Sequence, residues 1–139
     1  MNPQHVLVVD DETDIRELLV LTLMRMGIEA VTASTREEAF ARLGERTFDL
    51  CLTDMRLPDG DGLEILRHIA EHHGNTPVAV ITAFGSTENA VAALKAGAFD
   101  YIAKPIQLKQ LREVITAALN LPRTQGVNER GRRGAGKAC

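Results

Sequence analysis

Five alternations of a short apolar run with a helix-patterned segment, fitted into about 120 residues, predict an α/β domain with helices on both faces of a parallel sheet. Two further observations support that class. The central runs are almost wholly apolar instead of alternating, as strands covered on both sides require. The first, third, fourth and fifth runs also end in groups able to do chemistry: Asp10–Asp11, Asp54, Thr82 and Lys104.

Residues 5–10 (HVLVVD) read as the first strand, and Ile15, Leu18, Leu19, Thr22 and Met26 give the next segment a helical spacing that Gly27 closes. Residues 28–33 form the second strand. Ser34 or Thr35, followed three residues on by Glu37 or Glu38, is a capping box that opens a helix reaching about Arg46. A third strand at 48–53 leads into the turn-rich loop 54–62 (DMRLPDGDG) and a helix at 63–73. Residues 77–82 make the fourth strand, 86–96 a helix closed by Gly97, 99–103 the fifth strand and 107–120 the last helix. Right-handed crossovers leave few ways to join five such units, and the flavodoxin-like (βα)5 order 2-1-3-4-5 is the favoured one. In that architecture ligands bind at the carboxyl ends of the strands, where the groups named above fall.

The chain has 139 residues, 16 basic and 19 acidic, with two cysteines that show neither metal nor redox spacing. A reducing, cytoplasmic setting is expected. No apolar stretch approaches the length of a membrane span, and no signal peptide is recognisable. From Arg123 onward five basic residues face one acid, a balance of +4 that leaves −7 on residues 1–122 against −3 overall. An acidic folded part argues against direct nucleic-acid binding by its surface. Residues 1–122 are read as the domain and 123–139 as a disordered basic tail, an interdomain linker or a cloning remnant.

Neighbouring strands lie about 4.8 Å apart, so Asp10, Asp11, Asp54, Thr82 and Lys104 are expected on one rim within reach of each other. Two carboxylates about 4 Å apart repel by roughly 4 kcal/mol at an effective dielectric constant of 20, so a cation is wanted between them. A small oxygen site suits Mg²⁺, or Mn²⁺, better than Zn²⁺. With such an ion in place one carboxylate can attack phosphorus, Lys104 and the Thr82 hydroxyl steadying the phosphoryl oxygens. Asp54 is the best nucleophile because it stands alone at the centre of the sheet, whereas Asp10 and Asp11 act together on the metal.

The segments VVDDE (8–12), TDMRLPDGDG (53–62), ITAFG (81–85) and YIAKPI (101–106) closely resemble the receiver domain of bacterial two-component response regulators. The likeness spans residues 5–121. The loop after Asp54 and the ITAFGS segment are most similar to receivers of the nitrogen-regulator type, which precede a sigma-54-activating ATPase and a DNA-binding domain. The resemblance implies that Asp54 accepts a phosphoryl group from the phosphohistidine of a sensor histidine kinase. It also implies that Asp11 and Asp54 bind Mg²⁺ directly, Asp10 assists through water and the backbone carbonyl of Arg56 completes the site. Lys104 would contact the phosphoryl group, its bond to Pro105 would be cis, and Thr82 and Tyr101 would form the switch. The output face would then be the fourth helix, fifth strand and last helix, a surface also open to homodimer formation. Arg56 and Phe84 flank the site and are expected to hinder attacking water.

A small phosphatase of similar topology using an aspartyl nucleophile is the alternative. Such an enzyme wants a second acid two residues beyond the nucleophile, where this chain has Arg56. Nucleotide binding would need a glycine-rich loop after the first strand, and DDETD stands there. PDGDG lacks the alternating ligands and terminal Glu of a calcium loop. His68, His72 and His73 near the end of the third helix are read as charge and capping residues.

Overall fold

A computed structural model describes residues 3–83 and 86–121. The expected tail at 123–139 lies outside them. Five strands, β1 (His5–Val9), β2 (Glu29–Ala33), β3 (Leu50–Asp54), β4 (Val78–Thr82) and β5 (Asp100–Ala103), pair all-parallel in the order β2-β1-β3-β4-β5. Five helices connect or follow them: α1 (Thr13–Arg25), α2 (Arg36–Glu45), α3 (Gly62–His72), α4 (Thr87–Lys95) and α5 (Leu108–Leu119). The flavodoxin-like order expected from the crossover rules is the one observed.

Alternation along each strand divides the core in two. Val6 and Val8 of β1 pack with Leu19, Leu23, Leu111 and Ile115 of α1 and α5. Leu7 and Val9 point to the opposite face, among Leu43 of α2, Ile65 and Ile69 of α3 and Ala93 of α4. Both layers are apolar, which is why the central strands β1, β3 and β4 are apolar through most of their length. Gly27 and Gly97, at φ +78° and +108°, end α1 and α4 in the left-handed conformation that a side chain would resist.

The third strand lies slightly later than the hydropathy pattern suggests. Cys51 to Asp54 register against Val78 to Ile81, so Asp54 is the last strand residue and not the first of the loop. The loop beyond it contains a two-residue antiparallel ribbon, Arg56–Leu57 against Gly60–Asp61. Its two acids serve helix ends. Asp61 caps α3 reciprocally with Glu64, and Asp59 accepts from the backbone N–H groups of Arg36 and Glu37 at 2.7 and 3.0 Å, in the first turn of α2. Thr35 caps the same helix by accepting from Glu38 N.

The loop closes tightly where it enters α3. Gly62 N donates to the Met55 carbonyl at 2.9 Å, and a Cβ at Gly62 would come within 2.5 Å of the Asp54 carbonyl oxygen and 3.2 Å of Met55 Cα. Both obstacles are backbone, so the strand end would have to move. Gly62→Ala is therefore expected to cost about 1–3 kcal/mol, read as a clear drop in thermal midpoint, whereas Gly74→Ala, with open space around it, should leave the midpoint near that of the parent.

Candidate acidic metal and phosphoacceptor site

Asp10 follows β1 and is completely buried. Its amide donates to the Ala33 carbonyl at the end of β2, and its Oδ1 accepts from Glu12 N at 2.9 Å. Oδ2 is left without a hydrogen-bond partner, with Lys104 Nζ at 3.8 Å as its ion-pair neighbour. Burial, with the nearby Asp54 charge adding to it and the Glu12 amide opposing it, pushes the Asp10 carboxyl up to about 6. An orphaned, buried carboxylate oxygen beside other carboxylates is a group that a hard cation would satisfy.

Asp54, also buried, offers Oδ2 to Lys104 Nζ at 3.2 Å, while Arg56 N reaches its Oδ1 at 3.4 Å. Lys104 is placed by its own backbone, whose N–H donates to the Thr82 carbonyl at 2.8 Å; the following bond to Pro105 is cis. Its ammonium also holds Glu12 Oε1 at 2.7 Å. Partial burial alone would lower the pKa of Lys104, but Glu12, Asp10 and Asp54 outweigh it and raise the value, so the group stays charged.

Oxygens of Asp10, Glu12 and Asp54 all lie within 4.8 Å of one another, the one such three-residue group among the described residues. Three carboxylates thus share a single ammonium. The residual negative charge fits a small divalent ion, and the all-oxygen donor set favours Mg²⁺ or Mn²⁺. A cleft of about 450 Å³ opens over this cluster, lined by Asp11, Glu12, Asp54, Arg56, Asn89 and Lys104.

Sequence reasoning named Asp10 and Asp54 but passed over Glu12. The signal was present in the DDE run: a helix beginning at Thr13 leaves Glu12 at the N-cap, free to turn its carboxylate towards the rim. Asp11 is exposed and lines the cleft outside the three-carboxylate group. Arg56 is exposed on the loop ribbon, beside the cleft. Thr82 is buried at the end of β4, and it lines with Tyr101, Val91 and Leu94 a separate cavity of about 270 Å³ under α4. Tyr101 is 36% exposed and does not lie packed inward. Phe84 falls outside the described residues. The histidines cluster around His68, whose ring sits 4.5 Å from that of Phe40 and 4.7 Å from that of His72, tilted in both cases. Burial first, then the neighbouring His72 and His73, holds His68 below its ordinary pKa.

A doubly covered parallel sheet with an aspartate, a lysine and a crowded carboxylate cluster at its carboxyl edge defines a class: flavodoxin-like α/β domains whose ligand site lies at the carboxyl ends of the strands. The family follows from sequence comparison. A family model described as the response regulator receiver domain matches residues 6–116, and the chain belongs to that family. The response regulator protein PilR of Pseudomonas aeruginosa is 54% identical over 121 residues, covering 87% of this chain and 27% of that protein. The DNA-binding transcriptional regulator NtrC of Salmonella typhimurium is 36% identical over 113 residues, or 81% and 24% of the two chains. The crystal structure of the receiver domain of NtrX from Brucella abortus superimposes with a TM-score of 0.80 at 38% identity, covering 84% of this chain and 99% of that one. The chain thus spans about a quarter of the length of these curated relatives. No helix among the described residues is long and apolar enough to cross a membrane.

The Asp10 carboxyl titrates higher in the folded chain than its ordinary 3.8, so folding favours its neutral form. The associated stability is full below about 3.8 and is lost as pH rises through about 6. The shift of roughly two units, halved for the open side of the cleft, amounts to about 1.5 kcal/mol. In chelator at pH 7.5 Asp10→Asn should therefore melt higher than the parent by about that free energy. The advantage should vanish at pH 4, and added Mg²⁺ should stabilise the parent more than the variant. Melting curves at the two pH values, with and without the ion, check all three outcomes.

Proposed function

We propose that Asp54 accepts a phosphoryl group from the phosphohistidine of a sensor histidine kinase and that the acyl phosphate switches the α4–β5–α5 face. The observation that carries the reading is the Asp54 carboxylate 3.2 Å from Lys104 Nζ and beside the orphaned Asp10 Oδ2. Asp10, Asp11, Asp54 and the Arg56 backbone carbonyl are the groups that would hold Mg²⁺, with Glu12 at the edge of the set. The ion would supply charge neutralisation for the approaching phosphoryl oxygens.

In the transfer, an Asp54 oxygen forms a bond to phosphorus as the phosphorus–nitrogen bond to imidazole breaks. The leaving imidazole nitrogen keeps the electron pair and is neutralised by a proton. Lys104 donates to a phosphoryl oxygen that replaces its contact with Asp54 or Glu12. The Thr82 hydroxyl, one strand away, donates to another. Each such charge-assisted bond is worth about 1.5–3 kcal/mol. Tyr101 turns into the cavity that it already lines with Thr82, which carries the change to α4. Val91, Leu94, Tyr101 and Leu108 leave exposed apolar surface on that face, where a second copy would pair. The named relatives support a role in a sigma-54-dependent transcription activator.

Incubation with acetyl phosphate and Mg²⁺ should add the mass of one phosphoryl group to the intact protein. Asp54→Ala should add none, and chelator should prevent the addition; a parent chain that stays unmodified with the ion present overturns the reading. Lys104→Ala should slow uptake by roughly 10- to 100-fold, the loss of one charge-assisted bond. Arg56 lines the cleft beside Asp54, so on the reading that it hinders attacking water Arg56→Asn should shorten the lifetime of the phosphorylated form by several-fold, measured as decay of the modified mass after the donor is removed.

A further inference from the structure

We propose that Asp59 is a positioning residue for the metal-dependent acceptor site, acting by fastening the loop that follows Asp54 to the first turn of α2. The inference rests on the phosphoacceptor reading and concerns how its site is held. Beyond the Met55 amide, which donates to the Ile81 carbonyl at 3.0 Å, the loop pairs with no strand of the main sheet, and its internal ribbon is only two residues on each side. Left to itself so short a ribbon is marginal.

Two ties to α2 hold it. Asp59 accepts from both Arg36 N and Glu37 N, at 2.7 and 3.0 Å, using both carboxylate oxygens. Arg36 Nη1 donates in turn to Glu64 Oε2 at 2.8 Å, and Glu64 Oε1 accepts from Asp61 N at 2.9 Å. The two ties bracket Gly60. Because Arg56 pairs in register with Asp61, a displacement of residues 59–61 is transmitted to the Arg56 backbone, whose amide sits 3.4 Å from Asp54 Oδ1. The carbonyl offered to the ion belongs to that same residue. The amides that Asp59 caps lie at a helix end and can turn to water when it is removed, so the lasting effect falls on the loop.

Thr35 supplies a matched control. It caps α2 through Glu38 N and, among the described residues, makes no hydrogen bond to the loop. The experiment titrates Mg²⁺ alone into the parent, Asp59→Ala, Asp59→Asn and Thr35→Ala by calorimetry, with melting curves for each. The same proteins are then phosphorylated by acetyl phosphate across a range of Mg²⁺ concentrations. Asp59→Ala is expected to weaken Mg²⁺ binding by about three- to tenfold and to raise the half-saturating concentration for phosphorylation by the same factor, with the rate at saturation within twofold of the parent. Asp59→Asn, which keeps one acceptor oxygen, should fall between. Thr35→Ala should melt lower and bind Mg²⁺ like the parent. Normal binding by the parent with no shift in Asp59→Ala overturns this inference alone, as does an equal shift in Thr35→Ala. Should Asp59→Ala fail to fold, parent-like binding by Asp59→Asn overturns it. A parent that binds no Mg²⁺ overturns the proposed function together with it.

Discussion

The structure turns on an imbalance of charge at one edge of the sheet. Asp10, Glu12 and Asp54 crowd their oxygens within 4.8 Å, and Lys104 is the ammonium set among them. A folded chain would ordinarily relieve such crowding by moving side chains into water. Here Asp10 is held in place, its backbone tied to Ala33 and its side chain to the Glu12 amide, with no surface of its own exposed. The strain appears as a carboxyl pushed up to about 6 and an oxygen without a partner. The crowding costs stability locally and leaves the edge with a preference for added positive charge.

Parallel pairing makes this arrangement possible. All five strands present their carboxyl ends to the same side, so groups as distant in the chain as Asp10, Asp54, Thr82 and Lys104 meet without any local sequence relationship. The core beneath is apolar on both faces and fixes the register. A one-residue slip of β3 would take Asp54 out of its place at the rim and turn the strand's side chains to the opposite faces. The precision of the site therefore comes from Leu50, Cys51 and Leu52, none of which touches the chemistry.

The fold was legible because its signals are local and repeated: apolar runs of strand length, helical spacing, a capping pair at Thr35 and Glu38, glycines after α1 and α4. The acids at the strand ends were legible for a related reason, since a charged residue closing a buried strand has nowhere to go but the edge. What escaped was long-range. The end of β3 depends on its pairing with β4, which no local pattern encodes. Glu12 looks like an ordinary exposed helix-start residue until Lys104, 92 residues away, is seen to hold it. Asp59 reads as a turn former in PDGDG, and only the packing of α2 beside the loop shows that it caps another helix.

The cavity beneath α4 explains how a local charge event could be read at a distance. To move a two-state balance from 1:99 to 99:1 requires about 5.5 kcal/mol, close to what two or three charge-assisted bonds supply. That supply suffices only if the element being moved resists little. Of the described α4 residues, the buried ones are Ala90 and Ala93, side chains too small to lock a helix by interdigitation. Beside them lies about 270 Å³ of space bounded by Thr82 and Tyr101, the latter still partly outside. A small-residue contact next to unfilled volume offers little resistance to repacking, so the proposed inward turn of the tyrosine would meet few steric obstacles. On the proposed reading, a phosphoryl group at Asp54 that drew the Thr82 hydroxyl towards it would open this cavity further, so the modest energy available at the rim would suffice to shift the helix.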